Sequence, residues 1–533
     1  MAPEPTARES AAPGNDPRRA EALAPLEAAP EARPSRTLSL TYIPRLPERP
    51  PPRHRLVVPI CIFHAAVMLA WSLLRHHNFG STSDLGAYHA VFWNLAWRGT
   101  AWNSIDRIHQ WSTHVELGLL WLVLPYRFHT SPVWLFLTQN VSLAAAALPV
   151  EAVARRVTRD PLVGLLAAAA MLLTPQLLLA EINDFHPIAV CTLPMAIVAW
   201  GIETDRRRAI AAGAVIAISI REHMGLLLVA AAVAWVIRQG VRRLWSALAL
   251  GIFGLSAFLA AVLWVIPSFG SGSLKDVVQY QRIGGSAADA VRTVAAHPLA
   301  FLTIPFEGDR KFFLLALASG GLPLLVLSLR SLRRSAWPLL LAAPLLIVQL
   351  LSDDPARWDI RSYYGVPIVP LLAAACSLAL VFIPKGELRP GLTYVRLAAA
   401  AWVVLVIGHT ARVVPSPVGP GRPIDRAFQG SPRDLALRRA FSLIPADASI
   451  SAQDDVVPHV ATREEVHLWP DGEATDDFVL LDLGGIARNV KTPEELERAA
   501  ERLRADRHVS VLLDEAGVLL IKRIGAENSA SKQ

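Results

Sequence analysis

Charge is what this chain has least of. Only 18% of its 533 residues are Asp, Glu, Lys or Arg, while 53% are hydrophobic. With a mean hydropathy of +0.36, that balance excludes a large soluble enzyme and places the chain among polytopic membrane proteins. Cysteine is scarce too. Cys61, Cys191 and Cys376 all lie inside apolar runs, so neither a disulfide framework nor a metal-thiolate pattern is present. There is no P-loop, GxSxG elbow, HExxH motif or nicotinamide fingerprint. Lack of an ATP site argues against a primary pump. A cleavable signal peptide is not expected either. The first apolar run starts near Leu56, far from Met1, without a clear cleavage site, and should stay as an anchor.

The net charge of +7 does not point to nucleic acid, and no nucleic-acid partner is expected. Much of the excess Arg sits in short clusters flanking apolar runs, where it orients helices. Apolar runs fill residues 56–414. Those near 57–75, 134–154, 161–180, 187–203, 244–266, 312–328, 336–351, 364–384 and 397–414 read as spans. Two shorter runs, 209–220 and 224–237, read as a tight helical hairpin. The positive-inside rule puts Arg53, Arg155-Arg156, Arg206-Arg207-Arg208, Arg242-Arg243, Arg333-Arg334 and Lys385 on the cytoplasmic side. The run 114–127 suits an interfacial or re-entrant helix. The result is about eleven crossings, with the N-terminus cytoplasmic and the C-terminus extracytoplasmic.

The expected organisation has five parts. Residues 1–52, rich in Pro, Ala, Glu and Arg, read as disordered. Residues 53–414 form the transmembrane domain, with 84–98 as an amphipathic helix on its outer surface. A Pro- and Gly-rich linker covers 415–432. Residues 433–525 read as a small α/β domain with strands at ASISAQ and DFVLLDL, a helix at PEELERAAERLRAD, and a hairpin of VSVLLD and GVLLIKR. The tail 526–533 reads as frayed.

Apart from those basic clusters, a set of charged residues in and beside the gaps between apolar runs falls in loops that this topology puts on one, outer side. Ionisable groups near membrane depth cost about 2.5–3.5 kcal/mol each on insertion scales, so their retention points to function. Asp84 suits a base or a group that positions an acceptor; its alternative is helix capping by Ser83 or Asp84. His114 and Glu116 flank the start of a short helix, and spacing of two lets them act together only if that start is irregular. Asp184 and His186 sit in the turn Asn183-Asp184-Phe185-His186-Pro187, where Pro187 suits the first helical position and a turn alone needs no His. Arg221 interrupts an apolar hairpin and offers a fork suited to phosphate oxygens; the alternative is an internal pair with Glu222. Arg357 and Arg361 stand at the entry to another span, beside Tyr363 and Tyr364, which read as interfacial anchors. Asp184, His186, His114 and Glu116 together would suit a divalent cation. No cofactor is otherwise implied.

SDLGAYHAVFWN at 83–94, LLTPQLLLAEINDFHP at 172–187, REHMGL at 221–226, RSYYGVPIVPLL at 361–372 and IPADASISAQDDVVPHVATR at 444–463 together carry a resemblance. The chain resembles a family of bacterial polytopic membrane proteins classed as domain of unknown function 2079. That family is similar to the GT-C membrane glycosyltransferases, which use polyprenyl-phosphate-linked sugars outside the membrane. The resemblance implies a GT-C-like fold in the bacterial cytoplasmic (inner) membrane. It also implies a first-loop acid at Asp84 and a lipid-phosphate contact at Arg221. Where the family's first loop often has a second acid or amide pair, this chain has His89-Ala90.

The expectation is therefore an α-helical polytopic membrane protein, GT-C-like, with an extracytoplasmic α/β domain. It would transfer a sugar from a polyprenyl phosphate carrier in the membrane lipid. Asp84, Asp184 and His186 would be catalytic. His114, Glu116, Arg221, Glu222, Arg357 and Arg361 would bind substrate. The alternative is a transporter or scaffold using the same charges.

Overall fold

The computed structural model describes residues 50–270, 280, 292–293, 296, 303–318, 320–414, 430–485 and 492–524. The expected disordered N-terminus, save its last residues, most of the expected linker, the C-terminal tail and most of the loop 267–310 lie outside the described residues.

The membrane part begins with α1 (Val57–His77), α2 (Ser83–Trp97), the short apolar α3 (Leu117–Phe128) and α4 (Val133–Thr158). Then come the bent pair α5 (Pro161–Leu172) and α6 (Pro175–Ile182), α7 (Pro187–Thr204), α8 (Arg207–Ile220), α9 (Met224–Gln239) and α10 (Val241–Phe269). The pair α11 (Arg310–Ala318) and α12 (Leu322–Ser328), α13 (Leu332–Leu351), α14 (Pro355–Phe382) and α15 (Tyr394–Val413) complete it. Among the described residues, seven helices are long and apolar enough to cross a membrane, or nine if each bent pair is one span. Eleven were expected. The difference lies in α8 and α9, which have 14 and 16 residues, short of the ~20 that a bilayer needs.

Local chemistry explains several details. Between α5 and α6 the axis turns by 53°, because Pro175 has no N–H to continue the ladder. The α9–α10 contact rests on two facing glycines. A Cβ on Gly225 would overlap the carbonyl oxygen of Gly254, and one on Gly254 would meet the Gly225 oxygen at 2.7 Å. Small residues let membrane helices approach this closely, where packing rather than water exclusion drives association. At one end of the bundle the basic clusters meet buried or half-buried acids. Arg238 grips Glu203 at 2.6 and 2.7 Å, Arg243 pairs with Asp205, and Arg53 and Arg155 share Glu151.

Past the bundle lies a mixed sheet. Two antiparallel hairpins precede it, β1 (Trp102–Asn103) with β2 (Ile108–His109), and β3 (Glu387–Arg389) with β4 (Leu392–Thr393). The sheet itself comprises β5 (Ile450–Ala452), β6 (Val466–Leu468), β7 (Phe478–Asp482), β8 (Val509–Glu515) and β9 (Val518–Arg523), in the order β6-β5-β7-β9-β8. β5 runs parallel to β6 and β7, and β9 antiparallel to β7 and β8. The expected strands, helix and hairpin are all present. The short β6 and the helix α16 (Pro432–Leu443), which has a Ser431–Asp434 capping box, had no counterpart in the sequence reading. The helix α18 (Pro493–Ala505) follows the short α17 (Val457–Val460).

Strand alternation sorts the core into two layers. Val479, Leu481, Leu519 and Ile521 pack with Leu496 and Leu503 of α18. Phe478, Leu480, Val518 and Leu520 point the other way, toward Leu437 of α16 and toward Phe79, Ala90 and Ile105. Those last three belong to α2 and its flanking loops. The surface helix expected at 84–98 is thus corrected. Eleven of the fifteen residues of α2 are buried, because the sheet domain covers one side and the bundle the other. Trp97 alone keeps a mostly exposed ring, at 56%.

Candidate functional site

The site grows from the first loop. α2 starts at Ser83, with Thr82 as an extended N-cap whose own side chain caps nothing. The free N–H groups of a helix start need acceptors. Here they come from elsewhere in the chain. Asp184 accepts from the Thr82 N–H at 2.7 Å and from its hydroxyl, and Asp454 of the sheet domain accepts from the Ser83 N–H at 3.1 Å. Capping by Ser83 or Asp84 is therefore not what the structure shows. Asp84 occupies the first turn, half-buried, and its charge is felt by both Tyr88 and Tyr363.

One helical turn on, the Tyr88 hydroxyl donates to Glu116 Oε1 at 3.0 Å and accepts from Arg221 Nη2 at 3.3 Å. Arg221 Nη1 lies 3.0 Å from the same Glu116 oxygen. Gln110 donates to the other at 3.3 Å. Arg221 is only 6% exposed, and its Nε and Nη1 make no hydrogen bond. Burial alone would lower its pKa, but Tyr88, Glu116 and Glu222 around it raise it instead, so it stays charged. Burial dominates at Glu116, whose pKa is raised despite Arg221 and His114 nearby.

The turn at 221–222 also meets His114. Its Nδ1 is 3.0 Å from Glu222 Oε1, and the Val115 N–H donates to Glu222 Oε2 at 3.1 Å. Burial pushes the Glu222 carboxyl up, yet His114 and His223 outweigh it and hold it well below its usual value. His114 and Glu116 both precede the 3₁₀ turn at Leu117–Leu122, in the irregular backbone that their spacing required. Each takes one residue of the Arg221-Glu222 pair. Arg221 is closed onto Glu116 and Tyr88, not onto Glu222.

The Asp184 turn splits its two functional side chains. Asp184 pairs with Arg75 at 2.9 Å besides holding Thr82. The His186 ring stacks on Tyr363, while the His186 backbone N–H donates to Gln139 Oε1 at 2.8 Å. Burial lowers the His186 pKa to about 3, so the ring is neutral. The charge of Arg221 reaches both His186 and Tyr363. Asp84, Tyr88, Glu116, Arg221, His186 and Tyr363 thus form one electrostatic neighbourhood. Tyr363, read as an interfacial anchor, belongs inside it. Arg361 stands apart, held in a fork by Asp359 at 2.6–3.1 Å and largely exposed. Arg357 lies over the Tyr364 ring at 4.3 Å.

Among the described residues, no group of three or more His, Cys, Asp or Glu side chains could hold a metal ion. Asp184, His186, His114 and Glu116 are not gathered round one point, because each already has a partner on a different element. Sequence reasoning missed Tyr88, Gln110, Tyr363, Arg75 and Asp454. Arg75 carried a signal, as a charge at the very end of a span; the others are ordinary residues until the fold brings them together.

Fold and site together define a polytopic membrane protein with a charged, largely buried centre where its first loop, its 221–222 turn and its sheet domain meet. The chain belongs to the family described as "Predicted membrane protein (DUF2079)", which matches residues 75–520. No curated protein matches it. Two solved structures of ArnT from Cupriavidus metallidurans share its architecture. The one bound to undecaprenyl phosphate superposes with a TM-score of 0.53 at 13% identity, covering 88% of this chain and 98% of ArnT. The apo state gives 0.52 at 14% identity over the same shares. At such identity the likeness establishes the fold, and the expected GT-C-like architecture is the one found.

Proposed function

We propose that this protein is a membrane glycosyltransferase that takes a sugar from a polyprenyl phosphate carrier to an extracytoplasmic acceptor. The observation that carries the reading is Arg221. At this burial its Nε has no hydrogen bond and its Nη1 meets Glu116 only as an ion pair without hydrogen-bond geometry, an arrangement that is costly unless something else binds it. A phosphate oxygen is the natural complement to the donors that Glu116 and Tyr88 leave unsatisfied. The ArnT-like fold supports the choice, since a solved ArnT holds undecaprenyl phosphate. In this reading Arg221 matches the charge of the departing phosphate, and Asp84 takes the acceptor proton as the new bond forms. Asp184 positions the start of α2, His186 and Tyr363 wall the site, and Glu116 holds Arg221 ready. His114 and Glu222 fix the turn. Arg357, over Tyr364, and Arg361, held by Asp359, stand outside this centre, where they could meet the anionic headgroup of an arriving substrate.

The test is thermal unfolding of the detergent-solubilised protein with undecaprenyl phosphate, against undecaprenol as control. The expected result is a rise in melting temperature with the phosphate only, absent in Arg221→Gln. No rise, or equal rises with both lipids, would sink the proposal. The orientation belongs to the same reading, and a reporter fused after Arg422 should score as extracytoplasmic.

The transporter reading draws on one observation. His64 of α1 lies 2.8 and 3.0 Å from the carboxylate of Glu181, fully buried within the bent α5–α6 pair, and ionisable pairs at such depth often mark ion paths.

A further inference from the structure

Away from Arg221, a cleft opens between the first loop and the sheet domain. It encloses about 370 Å³ and is lined by Arg98, Trp102, Arg107, Glu464, Glu465 and His467, with small hydroxyl residues between them. That volume lies in the range of small-molecule sites. The lining is unlike theirs, however, being polar or charged except for Trp102.

The cleft is built rather than incidental. Arg98 follows the last residue of α2 and is held at 2.6 Å by Glu464. The β1–β2 turn is shaped by Asn103, whose side-chain oxygen accepts from the N–H groups of Ile105 and Asp106. That turn forces Arg107 to φ +55°, a left-handed conformation costly for a residue with a Cβ. Among the described residues Arg107 makes no ion pair, and its charge reaches His467. His467 Nδ1 is fixed by Asp476 at 2.7 Å, which leaves Nε2, 3.7 Å from Glu465, on the cleft side. Trp102 keeps 37% of its surface exposed at the cleft wall, although burial would be favourable for so large a ring.

Charge decides the ligand class. Two guanidiniums face two carboxylates in one cleft, and the imidazole is balanced by Asp476. An anion or cation would gain at one pair of groups what it lost at the other. A neutral ligand with adjacent hydroxyls gains at both, donating to the carboxylates and accepting from the guanidiniums through charge-assisted hydrogen bonds. The exposed Trp face supplies an apolar platform for the C–H face of a ring, with the polar edge left for hydrogen bonds. We propose that this cleft binds a neutral carbohydrate chain. Arg98 ends the helix whose first turn holds Asp84, so at ~1.5 Å per residue the cleft lies roughly 20 Å along α2 from that carboxylate. The assignment goes beyond the transfer reading and does not depend on it, since a protein without transferase activity would still have this cleft.

The test is isothermal titration of the full-length protein in detergent with short linear glucan, mannan and arabinan oligosaccharides. Inorganic phosphate and a sulfated oligosaccharide serve as anionic probes. At least one neutral sugar should bind saturably, and Trp102→Ala and Arg107→Ala should each weaken it about tenfold, the loss of one contact worth ~1.4 kcal/mol. The Arg107 side chain is exposed, so Arg107→Ala should melt like the parent, and it carries the test where loss of the partly covered Trp102 ring lowers the melting temperature. Lack of binding by every neutral sugar, tighter binding of an anionic probe, or binding unchanged in both variants would overturn the proposal.

Discussion

At the scale of single residues, the chemistry concentrates in Arg221 and Glu116. Their pairing is buried at 5–6% exposure on both sides. Removing one partner of such a pair leaves an uncompensated charge, at a cost of about 3–5 kcal/mol. Glu116→Gln should therefore lower the melting temperature of the ligand-free protein. It should also enlarge the stabilisation by undecaprenyl phosphate, because the freed guanidinium then gains more from the lipid phosphate. A smaller lipid shift in Glu116→Gln would show that Glu116 itself contacts ligand. The sequence made Arg221 and Glu116 visible as charges that an apolar chain should not keep. It could not pair them, because they lie 105 positions apart in the chain, and the adjacent Glu222 was the obvious partner. Glu222 instead faces His114, since successive side chains at an extended turn point apart.

Among the elements, the α9–α10 contact is the most sharply defined. Gly225→Leu should push the two helices apart and lose about 1–3 kcal/mol of stability, measured as a lower melting temperature in detergent. Gly251→Leu is the control, since a Cβ there meets only Ala232 at 3.4 Å. Equal effects from both would mean that the close approach is not maintained. The elements themselves were largely legible. Spans announce themselves by length and hydropathy, and the sheet strands by short apolar runs between turn residues, as in Phe478 to Asp482. Two kinds escaped. β6 has three residues, too few to show a period. The environment of α2 was misjudged, because an amphipathic helix looks the same whether its polar side meets headgroups or another domain.

For the whole molecule, the sheet domain and the first loop act as one unit. His459 of α17 stacks on His76 at 4.2 Å and lies 4.4 Å from the Phe79 ring, and Arg438 donates to the His77 carbonyl. Burial holds the pKa of His459 well below 6.5, and burial brings those of His89 and His186 to about 3. These rings take up protons on unfolding, from their ordinary value of 6.5 downward. Their contribution is complete above about pH 6.5. It falls as pH drops below that, each ring removing up to about 1.4 kcal/mol per pH unit. His467 works in the opposite sense. Its bond to Asp476 raises its pKa, so its contribution fades as pH rises past 6.5. Melting temperature should therefore fall between pH 6.5 and 5, less steeply in His459→Phe, which keeps the stack without the proton. A flat profile over that range would show that the three rings are not buried neutral.

The sequence by itself determined the membrane class, the long apolar helices, every strand of the distal domain but β6, and the set of charges worth explaining. Each of these follows from local pattern, in which an apolar run or an alternating strand carries its own physical reason. Only the tertiary structure decided which charge meets which. It closed Arg221 onto Glu116 and Tyr88, sent Asp184 to hold the start of α2, brought Tyr363 against His186, and set Asp454 of the sheet domain over the first loop. Those choices depend on how helices far apart in the chain pack together, and a buried ion pair is specified by the geometry of that packing rather than by the residues on either side of it.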